Sequence, residues 1–571
     1  MKLLIKKNRG NGQNGLRIFF VLCGVVFLFF MGLPLAHAAT LSQLYGCLLE
    51  KNDFLFTQKI DFFRFEEDSR HASPDYDKVK SQLELFSWDT FLKFAPLKNL
   101  EMDFGFAQTF PAHYSRSTYD TDDDLAVMQN YELEYLRDFI FQMRLNQGSF
   151  QPYISILEKR QEADWDAVLL SPPANYYSTR ILTHYEDFCL GLRYLSGEES
   201  QESVESNLSL LRLPLLNAKQ FVMDTRISYQ KAALRRNSRF YFNPWFLYDS
   251  FYQRLGPRYT PEINLGYGLT DNLELTSGLA FSFPYKYRYS YQRYFLGNLF
   301  NGVRGRYLFK RSFDIPLQLR YRLKQNLEIL FSSDFSYSQQ ELNYSDFNGV
   351  KTVYETKKLG YFNAQPSIAL SYLADGGRAI KEDRFSRLTQ EFLSSGQLLV
   401  EFRYLRDLTD LDKNAANGAQ NKIIPYELFV NPLELFASGT EYAAAFTGNK
   451  SDTAANVAAQ NYHLFQLAVR HGFFDRFNAG AGIGYRTSSH FHHFVLAPDA
   501  SFGRLSRAYT LKPYWFFSVP CDWRFSENSL LSLVWYYVPQ YRTEIGIEGV
   551  AKEFKSKTNY YSISFALKVL F

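Results

Sequence analysis

The chain has 571 residues, 46% of them hydrophobic and 18% aromatic, with 54 Phe and 41 Tyr and a mean hydropathy of −0.28. Its formal charge of +4 falls to −1 once the five basic residues near the start are set aside, so no general attraction to nucleic acid is implied. The four cysteines (Cys23, Cys47, Cys189, Cys521) form neither a metal spacing nor a disulfide framework, and no Walker loop, dinucleotide fingerprint or zinc pattern occurs.

Residues 1–38 read as a secretory signal peptide. Lys2, Lys6, Lys7, Arg9 and Arg17 lead into an apolar run from Ile18 to Ala36, and Ala36-His37-Ala38 gives a small-x-small site for cleavage after Ala38. The longer-than-usual apolar run leaves an uncleaved membrane anchor as the alternative. No later stretch is apolar for ~18 consecutive residues, the length a spanning helix needs. An exported chain that remains in a membrane is then expected to be a closed barrel, since helices and closed barrels alone satisfy their backbone in lipid.

Residues 39–52 carry Leu41, Leu44, Tyr45, Leu48 and Leu49 at helical spacing, which predicts a short periplasmic helix. The barrel is predicted over 53–571. Tight turns at 97–102, 268–275 and 323–329 share an Asn-Leu-Glu step that follows a leucine after one or two intervening residues, with looser relatives at 474–478 and 524–530. Asn and Asp tolerate the conformations that reverse a chain in a few residues. Their similarity puts these turns at one end of the barrel. Polar connections at 111–130, 161–177, 408–421, 447–460 and 543–557 read as longer loops at the other end. This spacing gives about 22 strands, within a range of 16 to 22. Residues 375–396 interrupt it with Ile380, Phe385, Leu388, Phe392 and Leu393 among charges, as a helical insertion that is periplasmic or lumenal.

The final strand alternates most clearly. Tyr561, Ile563, Phe565, Leu567, Val569 and Phe571 form an apolar face, and Ser562, Ser564, Ala566, Lys568 and Leu570 lie between them. A terminal aromatic strand of this kind resembles the C-terminal assembly signal of Gram-negative outer-membrane β-barrels. The resemblance implies an all-β, antiparallel, up-and-down transmembrane barrel in the outer membrane. It also implies outer-membrane lipid and the barrel-assembly machinery as partners. It reaches the broad porin-like architecture and no specific family.

Alternation also separates lipid from lumen. Charges on a lipid face cost ~2–4 kcal/mol each at mid-bilayer, so charged positions must face in. Between Val303 and Leu323 this assigns Arg304, Arg306, Arg320 and Arg322 to the lumen; elsewhere it assigns Glu101, Asp103, Glu132, Glu134, Lys286 and Arg288. Acids dominate the early strands and bases the middle ones. That separation resembles the opposed acidic and basic walls of general porins, with local pairing as the alternative.

Other clusters read as ordinary surface. His490, His492 and His493 form a loop-edge group, Asp120, Asp122, Asp123 and Asp124 a solvated acidic loop, and Tyr285 to Tyr291 an aromatic girdle. No catalytic constellation, metal site or cofactor site is expected, and the protein is not expected to be an enzyme. The expected function is a porin-like channel for small hydrophilic solutes. The alternatives are a structural or surface-interaction barrel with a closed lumen, and a fatty-acid-type channel for apolar solutes.

Overall fold

A computed structural model describes Leu49, Leu393 and the stretches 52–71, 78–109, 112–119, 125–145, 147–169, 175–196, 215–242, 245–295, 298–324, 326–347, 350–352, 359–374, 395–411, 453–457, 462–474, 476–496, 505–547 and 550–571. These residues form one antiparallel sheet closed on itself. It comprises 18 barrel strands among the described residues. In chain order the first nine are β1 Phe54–His71, β2 Lys78–Leu97, β3 Leu100–Thr109 with Ala112–Tyr119, β4 Leu125–Leu145, β5 Phe150–Leu169, β6 Asn175–Leu195, β7 Phe221–Phe242, β8 Trp245–Thr270 and β9 Leu273–Ser282 with Tyr285–Phe295. They are followed by β10 Asn298–Lys324, β11 Leu327–Phe347, β12 Val350–Thr352 with Leu359–Ala374, and β13 Leu398–Arg406 with Leu408–Leu411. The last five are β14 Thr453–Val457 with His463–Phe474, β15 Phe477–Arg486 with Ser489–Leu496, β16 Leu505–Leu511 with Tyr514–Ser526, β17 Ser529–Ile547 and β18 Val550–Leu570.

Each strand pairs with its sequence neighbours, and β1 closes the ring on β18 from Leu55↔Leu570 to His71↔Phe554. The predicted count of about 22 is therefore corrected to 18. The physical reason is strand length and interruption. Seven strands break and then resume as the same barrel strand, so a proline pair such as Phe110-Pro111 or Phe283-Pro284 marks a break and not a reversal. β10 alone runs for 27 residues. The helix expected at 39–52 falls almost wholly outside the described residues, as do the signal peptide and most of 375–396; no helix occurs among the described ones.

The barrel has inverted polarity. On β9, Leu275, Leu279 and Phe283 are 36%, 44% and 49% exposed, while Glu274, Thr276 and Ser282 between them are 2–3% exposed. β10 repeats this, with Leu317, Tyr321 and Leu323 outside and Gln318, Arg320 and Arg322 buried. Apolar side chains on the convex face and polar ones within is the arrangement that lipid, not water, stabilises. No helix among the described residues is long and apolar enough to cross a membrane.

The start of β1 and the end of β18 lie at the mouth where β2–β3, β8–β9, β10–β11, β14–β15 and β16–β17 reverse in short turns. This near mouth carries the turns at 97–102, 268–275, 323–329, 474–478 and 524–530. Two near-mouth connections, β6–β7 and β12–β13, are longer than the rest.

Candidate functional site: the inner wall of the barrel

Alternation places a ring of polar side chains on the inner wall close to the near mouth. On β2 and β3, Lys93 lies 3.1 Å from Glu101 and 3.7 Å from Asp103, and Arg144 on β4 lies 3.9 Å from Glu101. Further round, Arg193 on β6 reaches Asp224 on β7 at 3.4 Å, and the Tyr153 hydroxyl on β5 donates to the same carboxylate at 3.0 Å. Arg226 on β7 grips Glu262 on β8 at 2.6 Å. Arg320 on β10 lies 3.9 Å from Glu274 on β9 and 3.1 Å from Glu328 on β11. Beyond these, the Arg486 guanidinium stacks 3.8 Å over the Tyr462 ring and donates to the Tyr514 hydroxyl at 3.2 Å.

Each of these ion-paired bases therefore has an acid on a neighbouring strand through this part of the wall. Glu101 and Asp103, which look acidic in sequence, sit between Lys93 and Arg144 in space. A pair held at 3 Å has little field a few ångströms away, because its two Coulomb terms nearly cancel. The opposed-wall arrangement is absent from these pairs, and local pairing takes its place.

The other expected lumen residues are placed unevenly. Arg320 and Arg322 are buried in the wall, while Lys286 and Arg288 are exposed. Tyr285 turns inward, with Arg258 over its ring at 5.6 Å. The break at Phe283-Pro284 precedes it. On β10 the register shifts between Phe309 and Arg311 and again between Arg306 and Tyr307, so the alternation expected from Val303 to Leu323 is not continuous. Arg304 and Arg306 pair with Ser290 and Arg288 on β9 beyond these shifts, and Glu132 pairs with His113 on β3. Glu134 falls at the register shift between Leu133 and Tyr135. The side chains of these last four residues lie outside the described ones.

Sequence reasoning missed two features. First, glycines on the inner wall carry a neighbour's side chain laid flat across them. Tyr153 covers Gly191, Phe516 covers Gly484 and Phe91 covers Gly105, each across a paired position, and a Cβ on any of these glycines would collide with the ring. The signal was present as lone glycines within strand patterns. Second, the chain enters the lumen just before certain strands. Leu216 is 1% exposed and packs with Leu195 and Val222. Its amide donates to Glu274 at 2.8 Å, and the carbonyl of the next residue, Asn217, lies so close to Gly268 that no Cβ fits there. Leu393 packs with Leu373 and Leu399, and Leu49 packs with Leu55, Ala95, Leu530 and Leu570.

The assembly-signal residues lie on the outward face of β18. Phe565 is exposed, and Phe571 exchanges backbone hydrogen bonds with Phe54, at 2.9 and 3.3 Å, across the seam. His490, His492 and His493 lie on β15 with their side chains outside the described ones, and Asp120 and Asp122–Asp124 fall outside altogether. Among the described residues no group of His, Cys, Asp and Glu is arranged to hold a metal ion.

No protein-family model matches the chain, and no curated protein matches it. Solved structures do. The ferric yersiniabactin uptake receptor FyuA from Yersinia pestis matches at 11% identity and a TM-score of 0.45, over 91% of this chain and 80% of that one. A FadL homologue from Pseudomonas aeruginosa matches at 8% identity and a TM-score of 0.29, over 91% and 90%. The toluene transporter TodX from P. putida matches at 9% and 0.27, over 93% and 92%. The chain is a closed antiparallel β-barrel, and the structures it is similar to include outer-membrane β-barrel proteins. At these scores the likeness concerns the barrel fold alone.

Proposed function

We propose that this protein is a passive channel of the outer membrane for small hydrophilic solutes. The observation that carries the proposal is the inner wall, where Lys93, Glu101, Arg144, Arg193, Asp224, Arg226, Glu262, Glu274, Arg320 and Glu328 form a charged belt inside an apolar exterior. A wall of this kind hydrates readily and offers passage to water-soluble molecules. A lumen for fatty acids or other apolar solutes would instead present apolar surface, and the inner-wall leucines at Leu216 and Leu393 are already covered by their neighbours.

The leader at 1–38, with cleavage after Ala38, supports export, and the apolar face of β18 supports handling by the barrel-assembly machinery. On this reading the near mouth is periplasmic. The protein is no enzyme and needs no cofactor in this role. A second reading, a structural barrel with a closed lumen, is favoured by one observation: the wall charges pair with each other, as they would in a filled interior.

Planar-bilayer recording on the purified, heat-modifiable protein separates the two. The channel reading expects ohmic single-channel current in 1 M KCl. A protein that inserts and passes no current would make the structural reading the better one.

A further inference from the structure

The three leucines on the inner wall occupy equivalent places. Leu49 precedes β1, Leu216 precedes β7 and Leu393 precedes β13, so six strands separate each from the next. The sequences around them run Leu49-Glu-Lys-Asn52-Asp-Phe54, Leu216-Asn-Ala-Lys219-Gln-Phe221 and Leu393-Ser-Ser-Gly396-Gln-Leu398. The residue three beyond each leucine, Asn52, Lys219 or Gly396, has a positive φ of 69°, 66° or 80°. Among the described residues the one other positive φ is at Gly148. A strand starts five residues after each leucine. Non-Gly residues seldom adopt this backbone, so its recurrence at one offset marks a shared turn.

Packing repeats with the same offsets. Each leucine rests on the apolar residue six positions later, namely Leu55, Val222 or Leu399. It also rests on the last inward leucine of the preceding six-strand run, namely Leu570, Leu195 or Leu373. The third strand of each run breaks alike: β3, β9 and β15 each extend ten residues, skip two and resume. The second residue of that strand is Glu101, Glu274 or Asn478. Glu274 accepts from the Leu216 amide at 2.8 Å. With its side-chain amide oriented to satisfy both groups, Asn478 donates to the Leu393 carbonyl at 2.8 Å and accepts from its N–H at 2.5 Å. Glu101 is 1% exposed, and neither carboxylate oxygen has a hydrogen bond among the described residues, although Lys93 and Arg144 stand near as ion partners.

We infer that the barrel is a threefold repeat of a six-strand unit, and that Leu49, Leu216 and Leu393, the last two hydrogen-bonded through their backbone to the unit's third strand, narrow the near mouth as an iris that sets the size limit of the channel. The units run from β1 to β6, β7 to β12 and β13 to β18. Glu101 is assigned to the backbone beside Leu49 by its place in the unit. The inference rests on the channel reading for its consequence, and on geometry alone for the repeat. An apolar leucine buried in the wall stabilises each in-turned segment by an amount that truncation removes, because the methyl groups lose their packing and a cavity remains. Released from the wall, the segment no longer has a fixed position in the mouth.

The test has two arms. In the first, L49A, L216A and L393A are made singly and together, and current in planar bilayers is recorded beside liposome swelling with neutral oligosaccharides of rising size. The expected result is a stepwise rise in conductance and size limit, similar for each single change and several-fold in the triple variant. An unchanged size limit in a heat-modifiable triple variant overturns the iris, as does a rise produced wholly by one site. In the second arm, C47S, C189S and C521S form the background for three cysteine pairs, L49C with L570C, L216C with L195C and L393C with L373C. Cross-linking at all three in intact membranes is expected; failure at one, with the other two formed, overturns the threefold arrangement. This arm needs no conductance and holds where the triple variant fails to assemble. Current absent from every form, with all three cross-links made, sinks the channel reading and leaves the repeat standing.

Discussion

Arg320 shows how much a single residue carries in a lumen wall. The residue is 5% exposed, and its guanidinium stands between Glu274 and Glu328 on the flanking strands. Removing one member of a buried charge group leaves the rest uncompensated, at a cost of ~3–5 kcal/mol. R320A should therefore lower the temperature at which the compact, fast-migrating band is lost on unheated gels. The triple change R320A/E274Q/E328Q should recover part of that loss, because no carboxylate is then left without its base, while the buried Arg322 loses its neighbouring acids and keeps the recovery incomplete. If R320A melts at the wild-type temperature, the group is solvated and the wall is looser than its burial implies. The same reasoning bears on the four arginines between Val303 and Leu323 that the sequence assigns to the lumen. Arg320 is engaged by two carboxylates, so R320E would add a third acid to the group. Failed assembly is expected from it, ahead of any change in selectivity.

The closing element is β18. Phe571 receives and donates a backbone hydrogen bond with Phe54, and the two rings lie 5.9 Å apart. Deleting Phe571 removes both bonds where the sheet closes, so folded protein in the outer membrane should drop several-fold, with unfolded material left in the periplasm. Normal amounts of heat-modifiable protein would count against a role for this residue in closure. This strand was fully legible in the sequence, because Tyr561 to Phe571 alternate without a break and one-sided burial fixes the register. The strand number was less legible. Interruptions at Phe110-Pro111 and Phe283-Pro284 carry the composition of reversals, and only pairing shows that β3 and β9 continue past them. Among the site residues, Glu101, Asp103, Arg320 and Arg322 could be placed because alternation is regular near the turns. Lys286 and Arg288 lie past the Phe283-Pro284 break, and Arg304 and Arg306 past register shifts, where parity from a distant reference no longer holds. The partners Lys93, Arg144 and Glu262 come from neighbouring strands, and single-chain periodicity does not say which strands adjoin or at what register.

At the scale of the whole molecule, pairing decides what the channel would do to an ion. The described wall sets its bases against acids on neighbouring strands, so its net field is small and selectivity between small anions and cations should be weak. The Arg226–Glu262 pair offers the cleanest way to unbalance it. Its members lie 2.6 Å apart on adjacent strands, and the Arg226 side chain is 29% exposed, within reach of solvent in the lumen. E262Q keeps the shape and removes the negative charge, so the guanidinium acts alone and local anions are enriched. R226Q does the reverse. In a KCl gradient the two variants should move the reversal potential in opposite directions from the wild-type value. Screening falls from ~10 Å at 0.1 M salt to ~3 Å at 1 M, so both displacements should shrink as salt rises. Neither residue meets lipid, and assembly should persist in both. Two properly inserted variants that shift the potential the same way, or leave it unmoved at low salt, would show that ions pass elsewhere than along this wall.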